Sequence, residues 1–183
     1  MLELALHVLD IGENAIRAGA THLDIDIRED MASDMVSIDI VDNGSGMDPV
    51  LRSRALDPFF TTKPDRRIGL GLSLLAQSAE AAGGTVHITE AASGGTRVTA
   101  TFRLHHPDRQ PIGDLGGVIA MLLSRSSMLD IRLSYTGINS SFVFDSAKLR
   151  TELGGLWIEH PAVLTYIRDS IRAGIDRASV HTT

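Results

Sequence analysis

The chain has 183 residues, enough for one sizeable core with at most a small satellite and too few for two ordinary enzyme domains. Hydrophobic residues make up 43% and charged residues 22%, a globular balance that excludes collagen-like, coiled-coil and wholly disordered chains. The lack of Cys excludes disulfide scaffolds, thiol catalysis and Cys-ligated metals. A net charge of −6 argues against nucleic acid as a partner. No apolar run is long enough to span a membrane, and the opening MLELALHVLDIGEN is acidic where a signal peptide would be basic, so a cytoplasmic protein without a membrane partner is expected.

Residues 2–18 carry apolar positions on mixed faces and no Pro, which predicts a largely buried opening helix ending near Gly19. THLDIDIRED and MVSIDIVD alternate with period two through Leu23, Ile25 and Ile27, then Val36, Ile38 and Ile40, and predict two strands with one apolar face each. From Asp42 to Gly71 the chain is rich in Gly, Pro, Asp and Arg, which predicts a long functional loop with a helical turn around 49–56. Residues 72–82 predict a short helix closed by Gly83 and Gly84, followed by strands at 85–90 and 96–103.

Charge and composition then change. Residues 1–103 hold nine basic against fifteen acidic side chains, whereas residues 104–183 are balanced at eight of each, and the step falls on the polar stretch HHPDRQP at 105–111. The expected division is a first domain over 1–104 and a small α/β lobe over 112–180. That lobe is expected to hold a helix at 113–124, a hairpin at 129–135 and 140–145, a short helix in SAKLRTELGG, and a final helix opened by Pro161. Leu164, Ile167, Ile171 and Ile175 form a stripe on that last helix, which either docks on the lobe or offers a surface to a partner or a second copy in a homodimer. The expected fold class is α+β: a two-layer sandwich of a mixed, mostly antiparallel sheet with helices on one face, plus the small lobe.

Three motifs carry chemistry. Asp10, Asn14 and Arg17 are spaced four and three apart and share one helical face. An Asn amide oxygen can ligate Mg2+, an Asp one turn earlier can orient or deprotonate water, and an Arg one turn later can meet phosphate, although the same spacing also suits a solvated face. After the second strand, Asp42-Asn43-Gly44-Ser45-Gly46-Met47 reads either as a turn or as a loop whose glycines let backbone approach a base while Asp42 accepts from an exocyclic amine. Gly69-Leu70-Gly71-Leu72 enters a helix just after Lys63, Arg66 and Arg67, a plain helix start or a phosphate cradle.

Taken jointly, in this order and with FFTTK in the loop and GGT before the fourth strand, these motifs resemble the Bergerat-fold (GHKL) ATPases. That superfamily includes DNA gyrase, MutL, the heat-shock chaperone ATPases and sensor histidine kinases. The resemblance covers about residues 1–103 and leans, by its short loop at 47–68, toward the histidine kinase and anti-sigma-factor branch, in a stand-alone form with a short carboxy-terminal extension. It implies ATP and Mg2+ as ligands. Asn14 matches the magnesium-binding asparagine, Arg17 a basic residue reaching phosphate, and Asp42 the aspartate that reads the adenine amino group, with Gly44, Gly46 and Met47 around it. Phe59 and Phe60 look like the aromatic motif at the lid, where Thr62 and Lys63 also lie. Gly69 and Gly71 match the glycine pair beside the phosphates, with Leu70 and Leu72 in the same motif, and Thr96 the threonine that supports the base through the same aspartate and a water.

Asp10 stands where the hydrolases carry a catalytic glutamate and the histidine kinases usually an asparagine, so the resemblance does not choose between ATP hydrolysis and phosphoryl transfer, as by a kinase, to a partner protein. A non-catalytic ATP-dependent switch acting on a partner is the alternative. One residue precedes Leu2, so no room is expected for a helical hairpin bearing a phosphoacceptor His. His7 is expected to be a packed histidine.

Overall fold

A computed structural model describes residues 3–57, 70–154 and 156–179. Twelve elements run in the order α1 (Leu4–Arg17), β1 (His22–Asp30), β2 (Met35–Asp42), α2 (Pro49–Arg54), α3 (Leu70–Ala81), β3 (Val86–Glu90), β4 (Thr96–Arg103), α4 (Leu115–Arg125), β5 (Asp130–Thr136), β6 (Ser141–Asp145), α5 (Ser146–Glu152) and α6 (Pro161–Ser179).

The strands form one six-stranded sheet in the order β3-β4-β2-β1-β5-β6. Every neighbouring pair is antiparallel except β1 and β5, which run parallel with His22 opposite Asp130 and Arg28 opposite Thr136. This is the mixed, mostly antiparallel sheet with helices on one face that the periodicity predicts. Alternation sorts its two faces. Leu23, Ile25 and Ile27 of β1, Val36, Ile38 and Ile40 of β2, Val98, Ala100 and Phe102 of β4, and Ile131, Leu133 and Tyr135 of β5 all point into one core. The opposite face carries polar pairs: Arg97 donates to Asp39 through Nε and Nη2 at 2.9 and 2.8 Å, Thr99 Oγ1 donates to the same carboxylate at 2.6 Å, and Arg28 grips Asp26 at 2.7 and 3.1 Å. Residues on this face need no apolar cover because their charges are matched across or along the strands.

The segment after residue 104 builds onto the same sheet and the same core. Its β5 and β6 extend the sheet beyond β1, and α4 packs beside α1. The connection also caps α1: Pro111 and Ile112 carbonyls accept from the Leu4 and Ala5 N–H groups at 3.0 and 2.8 Å, two of the donors that a helix N-terminus leaves without an internal partner. Gly12 is what lets α4 come so close, since a Cβ there would lie 2.5 Å from Leu122 Cδ1. The α6 stripe turns inward within the chain. Ile167 and Ile171 are fully buried and Leu164 and Ile175 partly so, against α4 and the β5–β6 hairpin, so docking rather than an open partner surface accounts for it.

Candidate functional site

The Asp42 end of the site is built from backbone. Asp42 closes β2 and is only 6% exposed, an unusual place for a carboxylate unless its charge is matched. Its Oδ1 accepts from Gly44 N–H at 2.8 Å and from Thr96 N–H at 3.3 Å, and among the described residues no hydrogen bond falls on Oδ2. The β2–β4 register, with Val41 opposite Arg97, is what carries Thr96 alongside Asp42 from 54 residues away. The loop wraps tightly. A Cβ on Gly95 would lie 2.0 Å from the Asp42 carbonyl oxygen, and one on Gly44 2.9 Å from the Ala18 carbonyl oxygen. Gly46 has φ +71°, a left-handed conformation that L side chains seldom adopt, and Met47 beyond it packs on the core.

Asn43 fixes this loop to the start of β1. Its Oδ1 accepts from Thr21 and His22 N–H at 2.9 and 2.8 Å, and its Nδ2 donates to Thr21 Oγ1 at 3.0 Å. Ser45 N–H donates to the Ala18 carbonyl at 2.9 Å, so the loop is held across the end of α1 as well. The loop that follows Asp42 is thereby anchored at the C-terminal end of α1 and the start of β1.

On that helix Asp10, Asn14 and Arg17 lie as their spacing requires. Asp10 packs against the first turn of α3: a Cβ on Gly71 would lie 2.8 Å from Asp10 Oδ2, so a larger residue there would push the Asp10 side chain aside. Burial pushes the Asp10 carboxyl above the ordinary aspartate value, with the Glu13 charge adding to the rise and Arg17 opposing it. Arg17 Nη2 donates to Asn14 Oδ1, and Arg17 Nη1 sits 3.7 Å from Glu13 Oε2. Glu13 Oε1 in turn accepts from Arg125 Nη1 at the end of α4. His7, 2% exposed, faces Gln110 Oε1 through Nε2 at 3.3 Å, and burial lowers its basicity, as befits a packed histidine.

The raised Asp10 value has a consequence for stability. A carboxyl held above its unfolded value costs stability once ionised, so the penalty is absent in acid, below the ordinary aspartate range, and grows as pH rises through the folded value. Asp10→Asn is expected to raise the melting temperature at pH 7.5 and to lose that gain as the pH falls below the ordinary aspartate range. Thermal unfolding of both chains across that range checks it.

Among the predicted site residues, Gly71 and Leu72 open α3, and Leu72 is buried in the core. Leu70 is the first residue of the same helix. Phe60, Thr62, Lys63 and Gly69, with Phe59, Arg66 and Arg67, lie outside the described residues. The structure thus brings Asp42, Gly44 and Thr96 into one cluster, Asp10 and Gly71 into a second, and Asn14 with Arg17 into a third along α1. Three contributors were not signalled. Asn43 looks in sequence like one more turn residue, Gly95 is visible only as part of GGT, and the Glu13–Arg125 contact spans 112 residues.

Hard, uncharged and carboxylate oxygens on one helix face suit Mg2+, which rarely needs more than one or two protein ligands beside phosphates and water. Asn14 Oδ1 is such an oxygen, now taken by a guanidinium that a cation could replace. Asp42 Oδ2, with no hydrogen bond among the described residues, is an acceptor that an exocyclic amine could use.

Comparison with known proteins decides the relationship, because the family described as histidine kinase-, DNA gyrase B- and HSP90-like ATPases matches residues 2–106. The chain belongs to that ATPase family. The nitrogen regulation protein NtrY of Azorhizobium caulinodans is 32% identical over 101 residues, 55% of this chain and 12% of NtrY. The sensor protein FixL of Bradyrhizobium diazoefficiens is 40% identical over 76 residues, 42% of this chain and 14% of FixL. The chain thus spans a small part of the length of these relatives. Among solved structures, the N-terminal domain of a DNA repair protein superposes with a TM-score of 0.53 at 16% identity, covering 78% of this chain and 52% of that one, a likeness of fold. The ATPase-family match contains Asp10, Asn14, Asp42, Gly71 and Thr96, and members of this family typically bind ATP with Mg2+. No helix among the described residues is long and apolar enough to cross a membrane.

Proposed function

We propose that the chain binds ATP with Mg2+ and turns it over slowly, by hydrolysis or by phosphoryl transfer to a protein partner. The observation that carries this reading is Asp42: a carboxylate 6% exposed, its Oδ1 consumed by two backbone N–H groups, its Oδ2 without a described partner, set in a cradle of glycine backbone. Such an oxygen accepts from the adenine amino group, while Gly44, Gly46 and Met47 shape the base pocket and Thr96 holds Asp42 in place. Asn14 is the residue that would hold Mg2+, and Arg17 meets phosphate oxygens once released from Asn14. The N-terminal turn of α3, from Leu70 onward, offers backbone N–H groups to the phosphates, and by resemblance Gly69, Phe60, Thr62 and Lys63, which lie outside the described residues, would join the same site. When bound, Mg2+ neutralises charge on the phosphate oxygens.

Asp10 orients and deprotonates the attacking group. Its raised proton affinity makes it a better base than a free aspartate, and its packing against Gly71 supports a position next to the turn proposed to meet the phosphates. A second reading, an ATP-dependent switch without turnover, draws support from Leu122 packed onto Gly12, which ties the extension to the helix carrying Asp10 and Asn14. Asp10→Asn separates the two. With hydrolysis, the wild-type chain releases phosphate and the variant is expected to lose that activity by about 100-fold or more while binding ATP as before, whereas labelling of a partner from ATP is expected to survive, since an asparagine is the usual residue at this place in the histidine kinases. An inert wild-type chain that still binds ATP supports the switch, and a chain that binds no nucleotide contradicts both.

A further inference from the structure

We infer that Arg125, supplied by the carboxy-terminal extension, is a positioning residue for the phosphates of the bound nucleotide, acting by holding Glu13 so that Glu13 does not hold Arg17. The inference rests on the ATP reading above and adds to it a residue outside the part of the chain that matches the ATPase family.

Glu13 is one carboxylate between two guanidiniums. Arg125 Nη1 donates to its Oε1, whereas Arg17, four residues along the same helix, stands 3.7 Å from its Oε2 and gives its closer hydrogen bond to Asn14. With Arg125 in place, the charge of Glu13 is matched from α4 and Arg17 is left to Asn14 and to whatever anion reaches that face. Without it, the existing i,i+4 pair between Glu13 and Arg17 tightens, and Arg17 is drawn to the carboxylate and away from the phosphates. The arm that brings Arg125 there is firmly placed, because Arg125 ends α4 and Leu122, three residues earlier, is seated against Gly12 of α1. Glu13 is also the less exposed partner of each pair, at 25% against 46% for Arg17 and 50% for Arg125, so the contacts are screened at their outer ends only. The last turn of α4 thereby sets how freely Arg17 can leave the helix surface.

The test is calorimetric titration of the full chain and its Arg125→Gln, Arg125→Lys, Glu13→Gln and Glu13→Gln/Arg125→Gln variants, each with a non-hydrolysable ATP analogue plus Mg2+ and with AMP. Arg125→Gln is expected to weaken the ATP analogue about three- to tenfold and to leave AMP within about twofold, since only the phosphate end is affected. Arg125→Lys keeps the charge and is expected to recover most of the loss. Glu13→Gln is expected to bind the analogue at least as tightly as wild type, and Arg125→Gln to add no further loss in that background. Equal affinity of Arg125→Gln and wild type, an equal loss for AMP and the ATP analogue, or a loss that persists with Glu13→Gln would each overturn the inference. Wild-type protein that binds neither ligand removes the ATP reading itself, a failure visible before any variant is compared.

Discussion

Asp42→Asn is expected to weaken ATP, ADP and adenosine alike by about 10- to 100-fold. The substitution turns the free carboxylate oxygen into an amide N–H₂ that faces the donor it should accept from, and it removes a charge-assisted hydrogen bond of about 1.5–3 kcal/mol, roughly one to two decades of affinity. Because Asn retains an oxygen for Gly44 and Thr96 N–H, the fold should survive with its melting temperature nearly unchanged. Competition titration with the three ligands checks the pattern. A uniform loss places Asp42 at the base, whereas a loss that grows with the number of phosphates would move it to the other end of the ligand and contradict the reading.

Gly95→Ala should produce the largest combined effect on stability and binding. The added Cβ would stand 2.0 Å from the Asp42 carbonyl oxygen and 2.6 Å from its carbon, both backbone atoms of a paired strand end that cannot swing aside. Relief requires β2 and the turn before β4 to separate, at a cost of about 2–3 kcal/mol, or a fall in melting temperature of about 5–10 °C for a chain of this size. The same displacement pulls Thr96 N–H off Asp42, so nucleotide binding should fall below detection in the fraction that remains folded. Gly94→Ala is the contrasting variant: no atom lies within 4 Å of the added Cβ, and the penalty there comes from the φ of +90° alone. If Gly95→Ala proves as mild as Gly94→Ala, the tight closure over Asp42 is not what holds the pocket.

The elements themselves were legible because each announces itself locally. Period-two alternation in LDIDI and VSIDI exposes the inward face of β1 and β2, and Pro49 and Pro161 mark the starts of α2 and α6. Asp42 and the surrounding glycines could be picked out only together with the other motifs in their order, since Asp42-Asn43-Gly44-Ser45-Gly46 on its own reads equally as a turn. What lay beyond reach is set by long-range pairing. The parallel placement of β5 beside β1 joins residues more than 100 positions apart, and neither strand carries a pattern that names its neighbour. The charge step near residue 105 reports solvent-facing composition, which a strand joining an existing sheet leaves unaltered. Arg125 and Glu13 are ordinary helix-surface residues in sequence, and their meeting follows only from how Leu122 fits Gly12. Asn43 shows a subtler limit. Its type suits a turn so well that its hydrogen bonds to Thr21 and His22 leave no separate trace.

The most direct test of the central claim is calorimetric titration of the wild-type chain with a non-hydrolysable ATP analogue, with and without Mg2+. Saturable binding at one site per chain that tightens with Mg2+ is the predicted result, since Asp42 and Asn14 then act on opposite ends of one ligand. A chain shown by its thermal unfolding to be folded, yet giving no binding in either condition, would contradict the account.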